Sequence, residues 1–304
     1  RSFALSFDRL RPDEEATDAA ALALLARAAC FAPGEPLPVE LLLATLDAAD
    51  DEPPTADEPT TAEPSNAAPP ATAPSATRHS SLVTRHSPED ALERLLELGL
   101  LEDVDDSGDR VRLHRLLAVF VVGEIGRWEK ESSRQGAKGR EGAKEEEVGL
   151  MAAAREAVEK AVISLAYKQN TAGDPRALRM WDAQLRHVVD TAFEREDETA
   201  ATLSTNFGYY LRMSGDLAGA RPYYERALAI FERVLGPEHP DTAASLNNLG
   251  QLLQDLGDLT GARAYLKRAL TICERVLGPE HSATAASLNN LGFLLQAQGD
   301  LAGA

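Results

Sequence analysis

The chain has 304 residues, enough for two compact domains, and is 44% apolar but only 5% aromatic. This composition, in which alanine and leucine dominate, is typical of stacked helices and predicts a mostly α-helical protein. The net charge of −18 argues against nucleic acids and anionic membranes as partners, because phosphate groups would repel such a surface.

The cysteines and the chain ends narrow the class of protein further. Cys30 and Cys273 lie far apart without metal-site spacing, so we expect neither a disulfide framework nor a zinc site, and we expect a reducing cytoplasm as the compartment. No apolar run of about 18 residues and no signal-peptide pattern occurs in the sequence. The chain begins at Arg1 and stops at Ala304 inside a repeating pattern, so we expect a longer parent protein.

The first domain is predicted at 1–127. Apolar periodicity predicts helices over 16–31, 39–46 and 88–98, interrupted at 48–88 by a stretch rich in Pro, Ala, Thr and Ser that is typical of a disordered insertion. The sequences LeuLeuGluAspVal at Leu100 and ArgValArgLeu at Arg110 flank a turn-forming AspAspSerGlyAsp sequence, which predicts a hairpin. Three helices followed by such a hairpin predict a winged helix.

Many winged helices bind DNA, so a DNA-binding regulator is one alternative for this domain. The helix that would enter the groove carries Glu89, Asp90, Glu93 and Glu97 against a single arginine, Arg94. Phosphates would repel this helix, and we therefore expect no nucleic acid partner.

Residues 2–127 resemble the winged-helix part of regulatory NTPases of the NB-ARC, or STAND, family. The resemblance lies in SerPheAlaLeuSerPheAspArgLeu at the N-terminus and in the sequence Leu113, His114, Arg115 at the end of the hairpin. In that family a Met-His-Asp motif places its histidine against the β-phosphate of ADP, which would give His114 this role, although Arg115 here replaces the Asp. A purely structural histidine is the alternative. Because no GxxxxGK[ST] loop is present, ADP or ATP is expected only with a separate NTPase core, and this chain itself with no cofactor.

Two regions separate this domain from the end of the chain. Residues 128–148 are rich in Gly, Lys and Glu and are predicted to form a linker. Residues 149–198 contain two apolar-periodic runs, one through Val158 and Val162 and one through Trp181 and Leu185. These runs predict a helical cap or degenerate repeat, which would cover the exposed end of a helical array.

The strongest signal is a period of 42 residues, seen in Gly208, Gly250 and Gly292. Within one period the apolar spacing predicts one helix over 243–256 and a second over 259–277, separated by a Gly-Asp turn. We call these helices A and B. Each unit is therefore predicted to be a helical hairpin, and the third unit contains only helix A, which predicts fraying or self-association through its uncovered apolar face.

The spacing of Leu246, Leu249, Gly250, Leu253 and Ala262 resembles the tetratricopeptide repeat consensus. The long helix B and the LeuAsnAsnLeuGly sequence at Leu246 and Leu288 are similar to the repeats of kinesin light chains. The resemblance covers 199–304 and implies a right-handed α-solenoid.

In that family the A helices line a concave groove for an extended peptide or a partner helix. The resemblance assigns peptide binding to an Asn in each repeat and to its neighbours on the same helical face; these are Thr205, Asn206, Tyr209, Arg212, Asn247, Asn248, Gln251, Gln254, Asn289, Asn290, Phe293 and Gln296. Packing between hairpins is the alternative role for the Asn residues. His239 and His281 repeat in loops before A helices, where we expect turn and capping roles and no metal.

No catalytic motif is recognisable in the sequence, so we expect no enzymatic activity in this chain. The primary hypothesis is that the repeats recognise a protein or peptide, as the sensor and regulatory half of a STAND-type signalling protein. The alternative is a scaffold or adaptor without nucleotide involvement.

Overall fold

The structure is a computed structural model that describes residues 2–12, 14–47, 87–105, 107–136, 149–172, 175–300 and 303. Helices dominate these residues, as the composition predicts. Within the described residues, no helix combines the length and apolar character that a membrane crossing requires. The predicted insertion up to position 86 and the predicted linker from 137 to 148 lie outside the described residues.

The described part of the N-terminal unit combines five helices with three short strands. In chain order these are α1 (Ser2–Phe7), α2 (Ala16–Ala28), β1 (Leu37–Pro38), α3 (Val39–Asp47), α4 (Pro88–Glu97), β2 (Glu102–Asp103), β3 (Arg110–Arg112) and α5 (Arg115–Gly136). Leu24, Leu41, Leu95 and Leu117, from four different helices, are fully buried in its core.

The strands form one antiparallel sheet in which β3 is central. Leu37 of β1 is paired with Val111, and Glu102 of β2 is paired with Arg112. The predicted hairpin is therefore confirmed as β2 and β3. Strand β1 was not predicted because it lies in a ProLeuPro sequence, and prolines are scarce in sheets except at edges and first positions.

Helix α5 extends into the stretch that was predicted as a linker. It continues to Gly136, so residues 128–136 of that stretch are helical. Leu117, Val121 and Ile125 anchor one face of the helix in the core. Once a helix is nucleated in this way, each further residue adds a hydrogen bond at little entropic cost. The composition of the following stretch alone therefore does not show where α5 ends.

A buried ion pair joins α2 to α4. The Asp18 carboxylate is 1% exposed and accepts hydrogen bonds from Arg94 Nε at 2.8 Å and from the Arg11 backbone N–H at 2.9 Å. Burial would raise the pKa of Asp18, but these hydrogen bonds outweigh it and hold the pKa below its ordinary value. The single arginine of α4 is thus bonded to a buried carboxylate of α2.

Seven helices and one 3₁₀ turn make up the remainder of the described chain. They are α6 (Leu150–Ala172), the 3₁₀ turn Pro175–Trp181, α7 (Asp182–Ala192), α8 (Glu198–Met213), α9 (Leu217–Val234), α10 (Pro240–Asp255), α11 (Leu259–Val276) and α12 (Ser282–Ala297). The A helices are α8, α10 and α12, and the B helices are α9 and α11. The predicted hairpins are confirmed, and α6 and α7 pack before them as a further pair.

Local sequence signals set the ends of these helices. Gly257 has φ +84°, a conformation that favours glycine, and it ends α10. Asp258 then caps α11 by accepting a hydrogen bond from the Gly261 N–H at 2.9 Å. Helix α10 begins at Pro240, earlier than predicted, because His239 Nδ1 accepts a hydrogen bond from the Asp241 N–H.

Each hairpin depends on a close helix crossing at the repeated glycine. A Cβ added to Gly250 would lie 2.6 Å from Leu266 Cδ2, and one added to Gly208 would lie 3.0 Å from the Tyr224 ring. The crossing buries Leu246 and Leu266 completely. The corresponding face of α12 is open, since Leu288 is 49% exposed at the position where Leu246 is 0% exposed.

The buried side-chain amide of Gln184 bonds the helical array to the N-terminal unit. Gln184 of α7 is 1% exposed. Its Oε1 accepts a hydrogen bond from the Ala32 N–H at 2.7 Å, and its Nε2 donates to the Pro36 carbonyl at 2.9 Å. Helices α2, α3 and α5 also contact α6. The side chain of Gln184 therefore satisfies backbone groups of the loop before β1 and fixes where the two units meet.

We predict that Gly250→Ala lowers the free energy of unfolding by about 1–2 kcal/mol, because overpacking costs about 1–3 kcal/mol and helix propensity returns less than about 1 kcal/mol. Gly123→Ala is the control, since Gly123 lies in α5 with nothing within 4 Å of an added Cβ. It should stabilise the chain by about 0.5–1 kcal/mol. Urea denaturation measures both values, and an equal response of the two variants would contradict the crossing.

We predict that Gln184→Ala lowers the free energy of unfolding by about 1–3 kcal/mol, because it removes the hydrogen-bond partners of a partly buried N–H and a partly buried carbonyl. Thr191→Ala, an exposed position on the same helix, is the control and should stay within about 0.5 kcal/mol of the unchanged chain. Thermal and urea unfolding provide the measurement. If the Gln184→Ala chain is as stable as the control, the hydrogen bonds of Gln184 contribute nothing to the stability of the fold.

Candidate functional site

The predicted binding residues lie on the three A helices, and none of them is fully buried. Three of them are exposed, namely Asn289, Phe293 and Gln296. The others are half-buried, namely Thr205, Asn206, Tyr209, Arg212, Asn247, Asn248, Gln251, Gln254 and Asn290. We refer to the surface that these residues form as the A-helix face.

Five of these residues surround a single cleft of about 320 Å³. The cleft is lined by Arg212 of α8, by Gln251, Gln254 and Asp255 of α10, and by Asn290 and Phe293 of α12. It thus brings together side chains from three successive repeats, as the 42-residue period predicts for positions on one helical face. We call this feature the inter-repeat cleft.

An ion pair crosses the cleft between repeats. Arg212 Nε donates to Asp255 Oδ2 at 2.5 Å, and Arg212 Nη1 donates to Gln251 Oε1 at 2.7 Å. The Arg212 side chain is only 17% exposed, so it is held against α10. The positive charge of Arg212, which was predicted to lie in the groove, is therefore balanced by the Asp255 carboxylate.

Asp255 is the lining residue that the sequence did not predict. The equivalent positions in the neighbouring repeats are Met213 and Ala297, so the period gave no reason to select this residue. A signal was nevertheless present, because Asp255 is the only acidic residue in the last turn of an A helix.

The asparagines of the A helices differ in what they contact. Asn206 Nδ2 donates to the Thr202 carbonyl at 3.1 Å, and the Asn206 carbonyl accepts a hydrogen bond from Asn170 of α6 at 3.4 Å. Asn247 Nδ2 donates to Ser287 Oγ of α12 at 2.7 Å. The Asn206 side chain is thus bonded within α8, whereas the Asn247 side chain links α10 to α12.

Asn248 and Asn290 form no such bond. Within the described part of the chain, their side chains make no hydrogen bond to another residue. Next to Asn290, the ring of Phe293 is 62% exposed. The cleft therefore presents carboxamide groups and an aromatic ring to whatever enters it.

The two histidines that precede A helices serve as N-caps. His239 Nδ1 accepts from the Asp241 N–H at 3.2 Å, and His281 Nδ1 accepts from the Ala283 N–H at 3.1 Å. The predicted capping role is confirmed. Among the described residues, no cluster of three or more His, Cys, Asp or Glu side chains has an arrangement that could hold a metal ion.

His114 lies on the N-terminal unit, away from the A-helix face. Its ring is exposed, and its Nδ1 accepts a hydrogen bond from the Leu116 N–H at 3.2 Å at the start of α5. The neighbouring Arg115 donates from Nε to the Pro33 carbonyl at 3.1 Å. This geometry gives His114 a capping contact at the start of α5, which is the structural role that the sequence left open.

Comparison with protein families identifies the repeats. Residues 198–260 and 244–304 match the family model described as tetratricopeptide repeat. The C-terminal part of the chain therefore carries tetratricopeptide repeats, and the prediction from the 42-residue period is confirmed. Comparison with curated proteins gives no match.

Two solved structures are similar to parts of this chain. One is a proposed kinesin light chain with nearly identical TPR-like repeats from Podosopora anserina, at 23% identity and a TM-score of 0.41 over 46% of this chain and 67% of that chain. The other is BtubC (BKLC) from P. vanneervenii, at 20% identity and a TM-score of 0.43 over 62% of this chain and 73% of that chain.

We predict that Asn247→Ala is less stable than Asn248→Ala by about 1–2 kcal/mol, because only Asn247 bonds to the next repeat. The two variants change neighbouring residues of one helix by the same atoms, so helix propensity cancels between them. Urea denaturation of the full chain gives the difference. Equal stabilities would show that the bond to Ser287 does not hold α12 in place.

Proposed function

We propose that the A-helix face binds a protein or an extended peptide, and that this binding is the function of the chain. The observation that carries the proposal is the inter-repeat cleft, because it joins side chains from three repeats in one place. The carboxamides of Asn248 and Asn290 carry both donors and an acceptor, which is what an extended backbone requires. The tetratricopeptide repeats support the same function, since proteins with such repeats generally bind proteins or peptides.

We further propose that the N-terminal unit is a winged helix and belongs to the regulatory part of a STAND-type signalling protein. The order helix, strand, helix, helix and hairpin, from α2 to β3, supports a winged helix. The hydrogen bonds of Gln184 support coupling between the repeats and the N-terminal unit. A displacement of the repeats would move the loop before β1 through these bonds. Under this proposal, nucleotide binding requires an NTPase core that is not part of this sequence.

We propose no nucleotide site within this chain by itself. His114 is the only residue that the family resemblance assigns to ADP, and its Nδ1 accepts the Leu116 N–H. We therefore assign no nucleotide chemistry to this chain. DNA binding through α4 is also disfavoured, since Glu89, Asp90, Glu93 and Glu97 are exposed while Arg94 is bound to Asp18.

The test uses the full chain and a displayed library of random peptides. Selected peptides are measured by fluorescence anisotropy against the unchanged chain and against Asn248→Ala combined with Asn290→Ala. Because each lost hydrogen bond costs about 1 kcal/mol, affinity should fall by roughly 10- to 30-fold.

Matched controls separate this face from the opposite one. Lys267→Ala combined with Glu274→Ala changes two exposed residues of α11, a B helix, and should leave affinity unchanged. Circular dichroism checks that both double variants keep the fold. Equal affinity of the two double variants for the selected peptides would refute binding at the A-helix face.

A further inference from the structure

The A helices carry almost no charge in a chain whose net charge is −18. Helix α12 has no charged residue, and α8 and α10 have charges only in their first and last turns. The B helices differ, because charged side chains recur along α9 and α11. The face that forms the inter-repeat cleft therefore carries few charges, and Arg212 and Asp255 are the charged residues that line the cleft.

Within the cleft, the two charged side chains neutralise each other. Arg212 is bonded both to Asp255 and to Gln251, so its guanidinium already has a carboxylate and an amide acceptor. An acidic ligand would meet the Asp255 carboxylate beside Arg212, and a basic ligand would meet the Arg212 guanidinium beside Asp255. Either charge would therefore gain little attraction from the pair to offset the hydration that it loses on entering the cleft.

The remaining lining groups suit a neutral ligand. Gln254 and Asn290 offer carboxamides that can pair with the N–H and C=O groups of an extended backbone. The exposed ring of Phe293 offers a surface for one apolar side chain, and aromatic rings are favoured partners there.

We propose that the inter-repeat cleft selects an uncharged, extended peptide segment with one aromatic or large aliphatic side chain, and that the Arg212–Asp255 pair sets this preference. The inference rests on the proposed function, since it names the ligand class of the same face. The pair acts by exclusion: it holds the cleft neutral, so charged segments gain nothing that offsets their loss of hydration.

The test is a selection from random nonapeptides that are acetylated at the N-terminus and amidated at the C-terminus, with the full chain as bait. We expect Asp, Glu, Lys and Arg to be depleted among the selected peptides, and one position to be enriched in aromatic and large aliphatic residues. In Phe293→Ala that enrichment should disappear.

Charge variants test the role of the pair. Asp255→Asn leaves the Arg212 charge uncompensated, and acidic residues should become enriched by about tenfold relative to the unchanged chain. Arg212→Gln leaves the Asp255 charge, and basic residues should become enriched instead. The exchanged pair, Arg212→Asp with Asp255→Arg, is the matched control and should return the preference to uncharged peptides. Thermal unfolding confirms which variants are folded, and either single variant suffices if the other is not.

Four outcomes would overturn the proposal. If the unchanged chain selects acidic or basic peptides, or if neither folded charge variant alters the selection, the ligand class is wrong while binding at the A-helix face stands. If the selected peptides bind equally well to the variant that lacks both Asn248 and Asn290 amides, or if no peptide is selected, the proposed function fails as well.

Discussion

The crossing of helices A and B at a glycine determines the geometry of the whole repeat region. Because Gly250 lacks a Cβ, the Leu266 side chain lies directly against the backbone of α10. This close approach lets the hairpin bury Leu246 and Leu266 completely, and stacking on the next hairpin covers what one hairpin cannot. The repeated crossing sets the A helices side by side, so positions one period apart, such as Gln251 and Phe293, line the same cleft.

Much of the repeat region could be predicted from sequence because its contacts are local or periodic. The glycine turn at Gly257, the cap at Asp258 and the apolar spacing of α10 and α11 each act within a few residues. Because the sequence repeats every 42 residues, the hairpin predicted for one repeat also applies to the next. The start of α10 was placed too late, since the cap that His239 provides does not appear in apolar spacing. Five of the six residues around the cleft were indicated by the family resemblance together with the period, and their binding of a ligand stays a prediction.

Features that depend on distant partners could not be predicted. Gln184 is polar, so the apolar periodicity did not select it. Its role depends on hydrogen bonds to Ala32 and Pro36, which lie far away in the chain. Asp255 has no counterpart in the neighbouring repeats, so its pairing with Arg212 appears only when α8 and α10 are side by side. The sequence likewise grouped Asn247 with Asn248, although one bonds to Ser287 and the other does not.

We expect the bound partner to contact the A-helix face. To locate the contact, the photo-crosslinking residue p-benzoylphenylalanine is placed at position 293, or in a second chain at position 267 of α11, and each full chain is irradiated with a selected peptide. We predict a crosslinked peptide from position 293 and none from position 267, because Phe293 lines the cleft and Lys267 lies on a B helix. Crosslinking from position 267 with none from position 293 would show that the peptide binds at another surface.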